Sequence, residues 1–183
     1  MRVCSINCLV CAAVLTAAFA ASGATQQPPQ GPPKPAAEMS QLAYFEGSWT
    51  CTGKTMETPM GPAGPTKSTA DVRKDLNGHF QTGTIKGSMS GATMEGRFSA
   101  TYDPGMKQFV MLWIDNMGAW AQNTSPGWKG DTMVYEGTGH MGGQTMKGRD
   151  TFTKSGTTSM KHSWEVEMNG KWMPAGEETC TKK

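Results

Sequence analysis

The sequence predicts an all-β protein, an antiparallel up-and-down barrel of about ten strands that follows a short N-terminal helix. Beyond residue 48, apolar and polar residues alternate with a period of two. Turn residues recur about every 8 to 12 positions, a spacing typical of barrels and sandwiches. Two cysteines, Cys51 and Cys180, lie close to the two ends of this region. An even number of strands lets the first strand pair antiparallel with the last and close the barrel.

The N-terminus is predicted to lie outside the barrel. Residues 1–24 fit a secretory signal peptide, because Arg2 precedes an apolar stretch and small residues follow it. The apolar stretch is short for a membrane span, so we expect a periplasmic or secreted protein with no membrane span after cleavage. A retained or lipidated anchor is the alternative. Residues 25–40 are predicted to be a proline-rich, disordered linker, and residues 41–183 to form the barrel domain.

The net charge of the chain restricts which macromolecules it can bind. The full chain carries a net charge of +2, and cleavage after residue 24 removes Arg2 and no acidic residue. The mature chain is therefore nearly neutral, and we expect no nucleic-acid partner.

Only Cys51 and Cys180 remain after cleavage. In an oxidising compartment two such cysteines form a disulfide by default, and two free thiols are the alternative.

Ten strands are predicted to follow a helical segment at residues 36–45. The pairs Asn77-Gly78 and Asn169-Gly170 are typical of two-residue hairpin turns. Other turns containing glycine or proline separate most of the remaining strands. The strands are predicted at residues 48–58, 66–76, 79–87, 93–103, 108–115, 119–125, 132–138, 147–154, 158–168 and 172–181.

The first and last strands together predict one register. In an antiparallel pair, opposed residue numbers sum to a constant. If Cys51 faces Cys180, then Trp49 faces Lys182, and one register supplies both a disulfide and a cation over an indole ring. Gly47, Trp49 and Lys182 are therefore the predicted seam of the barrel beside the disulfide.

Two predicted strands show how the side chains face. In 158–168, Met160, His162 and Trp164 alternate with charged and polar residues, so one face is interior and the other is solvated. Strand 108–115 is apolar on both faces. Either the N-terminal helix covers its outer face, or that face contributes to an interface, including a possible homodimer.

His162 is the strongest single candidate for a ligand-binding residue. It is predicted to face the interior, and neutral imidazole binds haem iron, zinc or copper. The alternative is an interior histidine hydrogen-bonded within a polar patch. The other candidate ligand-binding residues are apolar or aromatic: Trp164, Met160, Trp113, Met111, Tyr102 and also Trp172.

Fifteen methionines are an unusual number for this chain. They predict irregular core packing or an adaptable apolar pocket. Cu(I) binding is a third option, because thioethers are soft ligands. The methionines are spread over most strands, with little grouping as M-x-M or M-x-x-M, and this spacing argues against copper.

Motifs of the standard enzyme classes are absent from the sequence. It contains no G-x-S-x-G, H-E-x-x-H, P-loop or dinucleotide-binding pattern. The two mature cysteines are predicted to be bridged, so we expect no thiol nucleophile. We predict no catalytic residue and favour a non-enzymatic role.

Several stretches resemble the DUF1579 family. They are Gly47–Trp49, the glycine-spaced third and fourth strands, and above all Ala100–Asp103 followed by Phe109–Asp115. The resemblance covers residues from about 40 to 182, and family members are bacterial, often exported and without an assigned biochemical function. It implies a calycin-type barrel, similar to lipocalins, fatty-acid-binding proteins and haem-binding nitrobindins. In calycins an arginine of the last strand usually covers the Gly-x-Trp tryptophan, and Lys182 occupies the matching position.

The predicted function is binding of a small apolar or amphipathic molecule inside the barrel, with no cofactor expected. One alternative is a structural or interaction protein of the cell envelope with a solidly packed barrel. The other is a haem- or metal-binding barrel that uses His162. The resemblance to nitrobindins implies a haem-binding histidine near the C-terminal strand, and the last predicted strand contains no histidine.

Overall fold

The structure is a computed structural model that describes residue 31, residues 33–59 and residues 61–183. The predicted signal peptide and residues 25–30 and 32 of the predicted linker lie outside the described residues. The elements are a 3-10 segment (Ala37–Phe45), β1 (Gly47–Thr55), β2 (Gly64–Asp75), a 3-10 turn (Leu76–Gly78), β3 (Phe80–Met89), β4 (Ala92–Asp103), β5 (Gln108–Asp115), β6 (Trp120–Ser125), β7 (Trp128–Lys129), β8 (Thr132–Met141), β9 (Gln144–Lys154), β10 (Ser159–Met168) and β11 (Lys171–Lys182). The 3-10 segment begins inside the range predicted as linker.

The strands form one closed antiparallel barrel, as predicted. Consecutive strands pair from β1 to β6 and from β8 to β11, β1 pairs with β11, and β6 pairs with β8. Ten strands therefore surround the interior in the described part of the chain. The additional two-residue strand β7 pairs with β8 beside the closed sheet, within a segment predicted to be a turn. No helix among the described residues is long and apolar enough to cross a membrane.

The seam between β1 and β11 has the predicted register. Cys51 lies opposite Cys180, Trp49 lies opposite Lys182, and the two cysteines form a disulfide. The Lys182 Nζ lies 4.9 Å from the centroid of the Trp49 ring and donates a hydrogen bond of 3.1 Å to the Tyr44 carbonyl. Lys182 therefore stabilises the seam and also ties it to the 3-10 segment.

The 3-10 segment closes one end of the barrel, which we call the capped end. Leu42 and Phe45 are buried there, and the Gln81 side chain donates a hydrogen bond of 2.8 Å to the Leu42 carbonyl. Trp128 stacks on Phe45 and donates its indole N–H to the Gln41 carbonyl at 2.9 Å, which accounts for the extra strand β7. The core beneath this cap consists of Met39, Leu42, Phe45, Trp49, Cys51, Ala100, Phe109, Met133, Tyr135, Met160 and Cys180.

Five hairpins lie at the opposite end, which we call the far end. They join β1 to β2, β3 to β4, β5 to β6, β8 to β9 and β10 to β11. This assignment follows from the alternating strand directions, because β1 begins beside the cap and each antiparallel neighbour reverses direction. The barrel interior therefore has a capped half and a far half.

The outer face of β5 is uncovered by the described residues. Leu112 and Ile114 are 50% and 56% exposed, and the 3-10 segment that was a candidate to cover them packs into the capped end instead. Trp120 on β6 lies beside Ile114, and Met117 lies in the turn between the two strands. These four residues form an apolar patch on the outside of the barrel, which we call the outer patch.

Replacing Cys51 and Cys180 together by serine is expected to lower the free energy of unfolding by several kcal/mol. The two cysteines are separated by 129 positions, and the chain-entropy model gives about 5 kcal/mol for such a loop. Urea denaturation followed by tryptophan fluorescence measures the change, with wild type in a strong reductant as the matched control. Reactive thiols at Cys51 and Cys180 in the denatured, unreduced wild type, located by alkylation and peptide mass spectrometry because the full chain also contains Cys4, Cys8 and Cys11, would contradict the disulfide.

Candidate functional site

The predicted site residues divide into two groups along the barrel axis. Met160 is buried beneath the cap, and Tyr102 and Met111 pack against the same core. These three side chains therefore contribute to the packed core under the cap. His162, Trp164 and Trp113 occupy the next inward positions towards the far end, following the strand alternation that buries Met160 and Phe109. The far half of the interior is the candidate site, and the second group belongs to it.

His162 lies between two carboxylates on neighbouring strands. Its Nε2 is 3.0 Å from Asp150 Oδ1 on β9, and its Nδ1 is 3.1 Å from Glu178 Oε1 on β11. The imidazole stacks on Phe152, with ring centroids 4.4 Å apart, and Trp164 lies beside it at 5.3 Å. Three adjacent strands thus place one polar cluster on an otherwise apolar wall.

The charge state of His162 follows from these contacts. Burial alone lowers the pKa of His162, but the hydrogen bonds and charges of Asp150 and Glu178 outweigh burial and raise the pKa to about 9. At neutral pH the ring is therefore an imidazolium that donates one N–H to each carboxylate. A metal ligand needs a nitrogen lone pair, and neither nitrogen offers one, so this arrangement does not fit haem or metal ligation by His162.

One further group of potential metal ligands lies beside this cluster. The sulfur atoms of Cys51 and Cys180 and a carboxylate oxygen of Glu178 lie within 4.8 Å of one another. Both sulfur atoms are joined in the disulfide, whereas metal binding by cysteine requires a thiolate. The group therefore does not form a metal site while the disulfide is intact.

Two tryptophans lie against glycines of the neighbouring strand. A Cβ atom on Gly176 would lie 2.0 Å from the Trp164 ring, and one on Gly96 would lie 2.2 Å from the Trp113 ring. The missing side chains leave room for the rings to cover the backbone, an arrangement known from other barrels. Trp113 is also held by its indole N–H, which donates to Asp115 at 3.0 Å. Both rings therefore line the wall of the far half.

The far half is thinly filled by side chains. Gly139 and Gly148 face inward, and a Cβ at either position would meet no atom closer than 3.7 Å and 3.9 Å respectively. Trp113 and Trp164 remain partly accessible to solvent although they point inward. Solvent therefore reaches this part of the interior, in contrast to the buried core under the cap.

Trp172 was a candidate pocket residue, and this prediction is wrong. The pairing of β10 with β11 shifts by one residue between Trp164 and Glu165, and such a bulge reverses which side chains face inward. Trp172 consequently lies opposite Glu167 on the outer wall, where the Arg149 guanidinium sits 4.5 Å from its ring centroid. The same shift turns Met173 towards the interior, opposite Val166.

A separate depression of about 580 Å³ lies on the outside of the barrel, across β1, β11, β10 and β9. Its side chains are mainly hydroxyls and charged groups, and Lys54 and Glu177 form an ion pair of 3.2 Å within it. The outward-facing residues that line it are Thr52, Lys54, Thr151, Thr153, Lys161, Ser163, Glu177 and Thr179. None of these lining residues is aromatic, so the depression has little apolar surface for an apolar ligand to contact.

Sequence reasoning identified His162 and missed its two partners. Glu178 shares the alternation of Cys180, and a charged residue on the disulfide face of the last strand was the available signal. Asp150 could not be assigned in the same way, because its relation to His162 depends on the pairing of β9 with β10.

Stability contributed by His162 is expected to be present below pH 6.5 and lost as pH rises through about 9. The folded-state pKa of about 9 lies above the ordinary value of 6.5, so the folded state binds the proton more tightly. The contribution is at most about 3 kcal/mol. We expect His162→Gln to be less stable than wild type at pH 7 and close to it near pH 10, measured by urea denaturation.

The matched control for this experiment is His140→Gln. His140 lies on the outer wall, stacked on Trp120, so its replacement removes a histidine and leaves the contacts of His162 with Asp150 and Glu178 intact. A difference between His162→Gln and wild type that stays constant from pH 6 to pH 10 would contradict the buried imidazolium.

Comparison with known proteins identifies the family to which this chain belongs. The family model described as "Protein of unknown function (DUF1579)" matches residues 34–182. Among solved structures, the chain is similar to Rv2717c from M. tuberculosis, with a TM-score of 0.62 and 12% sequence identity over 82% of this chain and 99% of that chain. At this identity the similarity shows the fold alone. A search of the curated proteins finds no match. Because the family match spans most of the chain and includes every barrel strand, the protein belongs to the DUF1579 family.

Proposed function

We propose that this protein is an exported barrel that binds a small apolar or amphipathic molecule in the far half of its interior. The observation that carries the proposal is the pair of inward-facing rings, Trp113 and Trp164, which lie against glycines and remain accessible to solvent. Ligand sites typically combine such apolar walls with a few polar groups that set the orientation. The His162 cluster supplies those groups.

The distribution of side chains indicates how a ligand would lie. Phe98, which packs against the core under the cap, covers Gly83 as the tryptophans cover their glycines, so aromatic rings line the interior wall from the core into the far half. The polar end of an amphipathic ligand would meet Glu178 and Asp150, which have oxygen atoms besides those bound to His162. A hydrogen-bond donor or a positive charge on the ligand suits these acceptors best.

The expected export and the expected calycin-type fold are consistent with this proposal. The disulfide between Cys51 and Cys180 is compatible with an oxidising compartment outside the cytoplasm. A calycin-type fold would add small-molecule binding by analogy of fold alone. The geometry of the far half therefore remains the main support.

Native mass spectrometry of the protein purified from its own host is the test. We expect a reproducible small-molecule adduct on wild type and its loss in Gly148→Leu, because the leucine side chain would occupy interior space next to β10. Thr151→Leu is the matched control, since Thr151 lies on the same strand and faces the outer depression. Thermal unfolding of each variant verifies that it is folded.

The pattern of adducts among the variants distinguishes a ligand site in the interior from one in the outer depression. Loss of the adduct in Thr151→Leu, with retention in Gly148→Leu, would assign the ligand to the outer depression and overturn the proposal. A wild type without any adduct would favour the alternative of a solidly packed envelope protein.

The outer patch favours a second candidate function, self-association of the barrel as a homodimer. Leu112, Ile114 and Trp120 are about half exposed, and contiguous apolar surface of this kind often marks an interface. Glu95 and Arg97 border it on β4 and form an ion pair of 3.6 Å. In a two-fold contact a surface meets its own copy, and a border with both charge signs can complement itself.

Light scattering tests this second candidate. Wild type is expected to show the mass of a dimer at high concentration, and Ile114→Lys to show that of a monomer, because a charge would be buried in the contact. Thr124→Lys, outward on the neighbouring strand beyond the patch, is the control. A monomeric wild type at all concentrations would exclude the homodimer.

A further inference from the structure

Three hairpins at the far end share one sequence pattern, M-x-G-x-x-M. They are Met89–Met94 between β3 and β4, Met141–Met146 between β8 and β9, and Met168–Met173 between β10 and β11. The turn glycine of each has positive φ: 85° at Gly91, 79° at Gly143 and 74° at Gly170. Six methionines that are dispersed in the sequence are therefore gathered at one end of the barrel.

Within each hairpin the two methionines lie on the same face of the sheet. Met141 pairs with Gln144, and Met146 lies two positions further along β9, so both have the same orientation. That orientation is inward, because Met133 and Tyr135 share it on β8 and are buried. The thioethers of this hairpin therefore face the mouth of the interior.

The same argument holds for the hairpin between β10 and β11. Met168 continues the inward alternation of Val166, and Met173 pairs directly with Val166. Met173 takes this orientation only because of the bulge after Trp164. Without that shift Trp172 would face inward in its place.

These two hairpins are adjacent, which places four methionines on four consecutive strands. β9 pairs with β10 up to Val166 opposite Gly148, and Lys147 forms an ion pair of 3.0 Å with Glu167 one residue further along. Extending the register by two residues places Met168 opposite Met146. Met141 and Met173 lie one diagonal step to either side. Directly opposed Cβ atoms are about 5 Å apart and diagonal neighbours about 7 to 8 Å, within reach of long side chains.

We propose that Met141, Met146, Met168 and Met173 form a binding site for a soft monovalent cation, Cu(I) or Ag(I), at the far mouth of the barrel. Thioether sulfur is a soft, uncharged ligand that selects Cu(I) over hard ions such as Mg²⁺. Met146 and Met168 with one diagonal neighbour supply three sulfur ligands, and the flexible side chains can adjust to the ion.

The site is accessible and separate from the His162 cluster. Met173 is 41% exposed, and the other three methionines are half-buried, so an ion can reach the sulfur atoms from the mouth. Lys171 shares their face at the tip of the hairpin and is exposed, so its cation can remain in solvent. The proposal does not depend on ligand binding in the interior.

Titration with Ag(I), and with Cu(I) kept reduced by ascorbate, tests the site in the full chain that carries Cys4→Ser, Cys8→Ser and Cys11→Ser, because these three thiols would themselves bind soft ions. Wild type is expected to bind one equivalent, with shifts in the NMR signals of the four methionine methyl groups. Met146→Leu/Met168→Leu is expected to weaken binding by at least about 10- to 100-fold, the loss typical when even a hydrogen-bond partner of a metal ligand is removed. Leucine is close in volume, so the fold should be retained, which thermal unfolding without metal verifies.

The third hairpin supplies the matched control. Met89→Leu/Met94→Leu removes the same motif from β3 and β4, which are separated from β8 by β5 and β6. We expect its affinity for Ag(I) to stay within about threefold of wild type, because its sulfur atoms lie elsewhere on the mouth. Equal losses in both double variants, or no tight binding by wild type, would overturn the proposal.

Discussion

The pairing of the first strand with the last is the constraint on which the rest of the structure depends. A sheet of ten strands closes only when β1 meets β11, and the disulfide between Cys51 and Cys180 holds the two strands in one register. Lys182 connects the same seam to the cap through Trp49 and the Tyr44 carbonyl. The register also places Glu178 opposite Gly53, and a Cβ on Gly53 would lie 2.7 Å from the Glu178 side chain. The seam therefore helps to position the polar cluster around His162.

The two halves of the barrel differ in how densely side chains fill the interior. The capped half buries large side chains such as Phe109 and Met133 completely, and burial of apolar area there provides the main stabilisation. The far half has glycines where side chains would fill the interior, and aromatic rings cover two of them, Gly96 and Gly176. Stability is thus concentrated at one end, which leaves the other end free to bind a ligand or an ion.

Predictions from the sequence succeeded where they depended on alternation within a single strand. The inward orientation of Met160 and His162, and the register of the seam, follow from a period of two and from one pair of cysteines. The partners of His162 depended on which strands are neighbours, and Asp150 was missed for that reason. Trp172 was predicted to face the interior because it continues the alternation of Cys180 along the last strand. The bulge that breaks this alternation lies in the pairing of β10 with β11 and cannot be recognised from the sequence of β11 alone.

The sequence by itself determined the closed antiparallel barrel, its seam and the inward face of most strands, because alternation and turn chemistry are local properties of the chain. The tertiary structure decided which inward residues meet. It raised the pKa of His162 by placing two carboxylates at hydrogen-bond distance. It also brought Met146 and Met168 onto adjacent strands, although the spacing of the methionines had argued against a shared site. Strand adjacency and the bulge at β11 result from the closure of the whole sheet, which no single segment of the chain specifies.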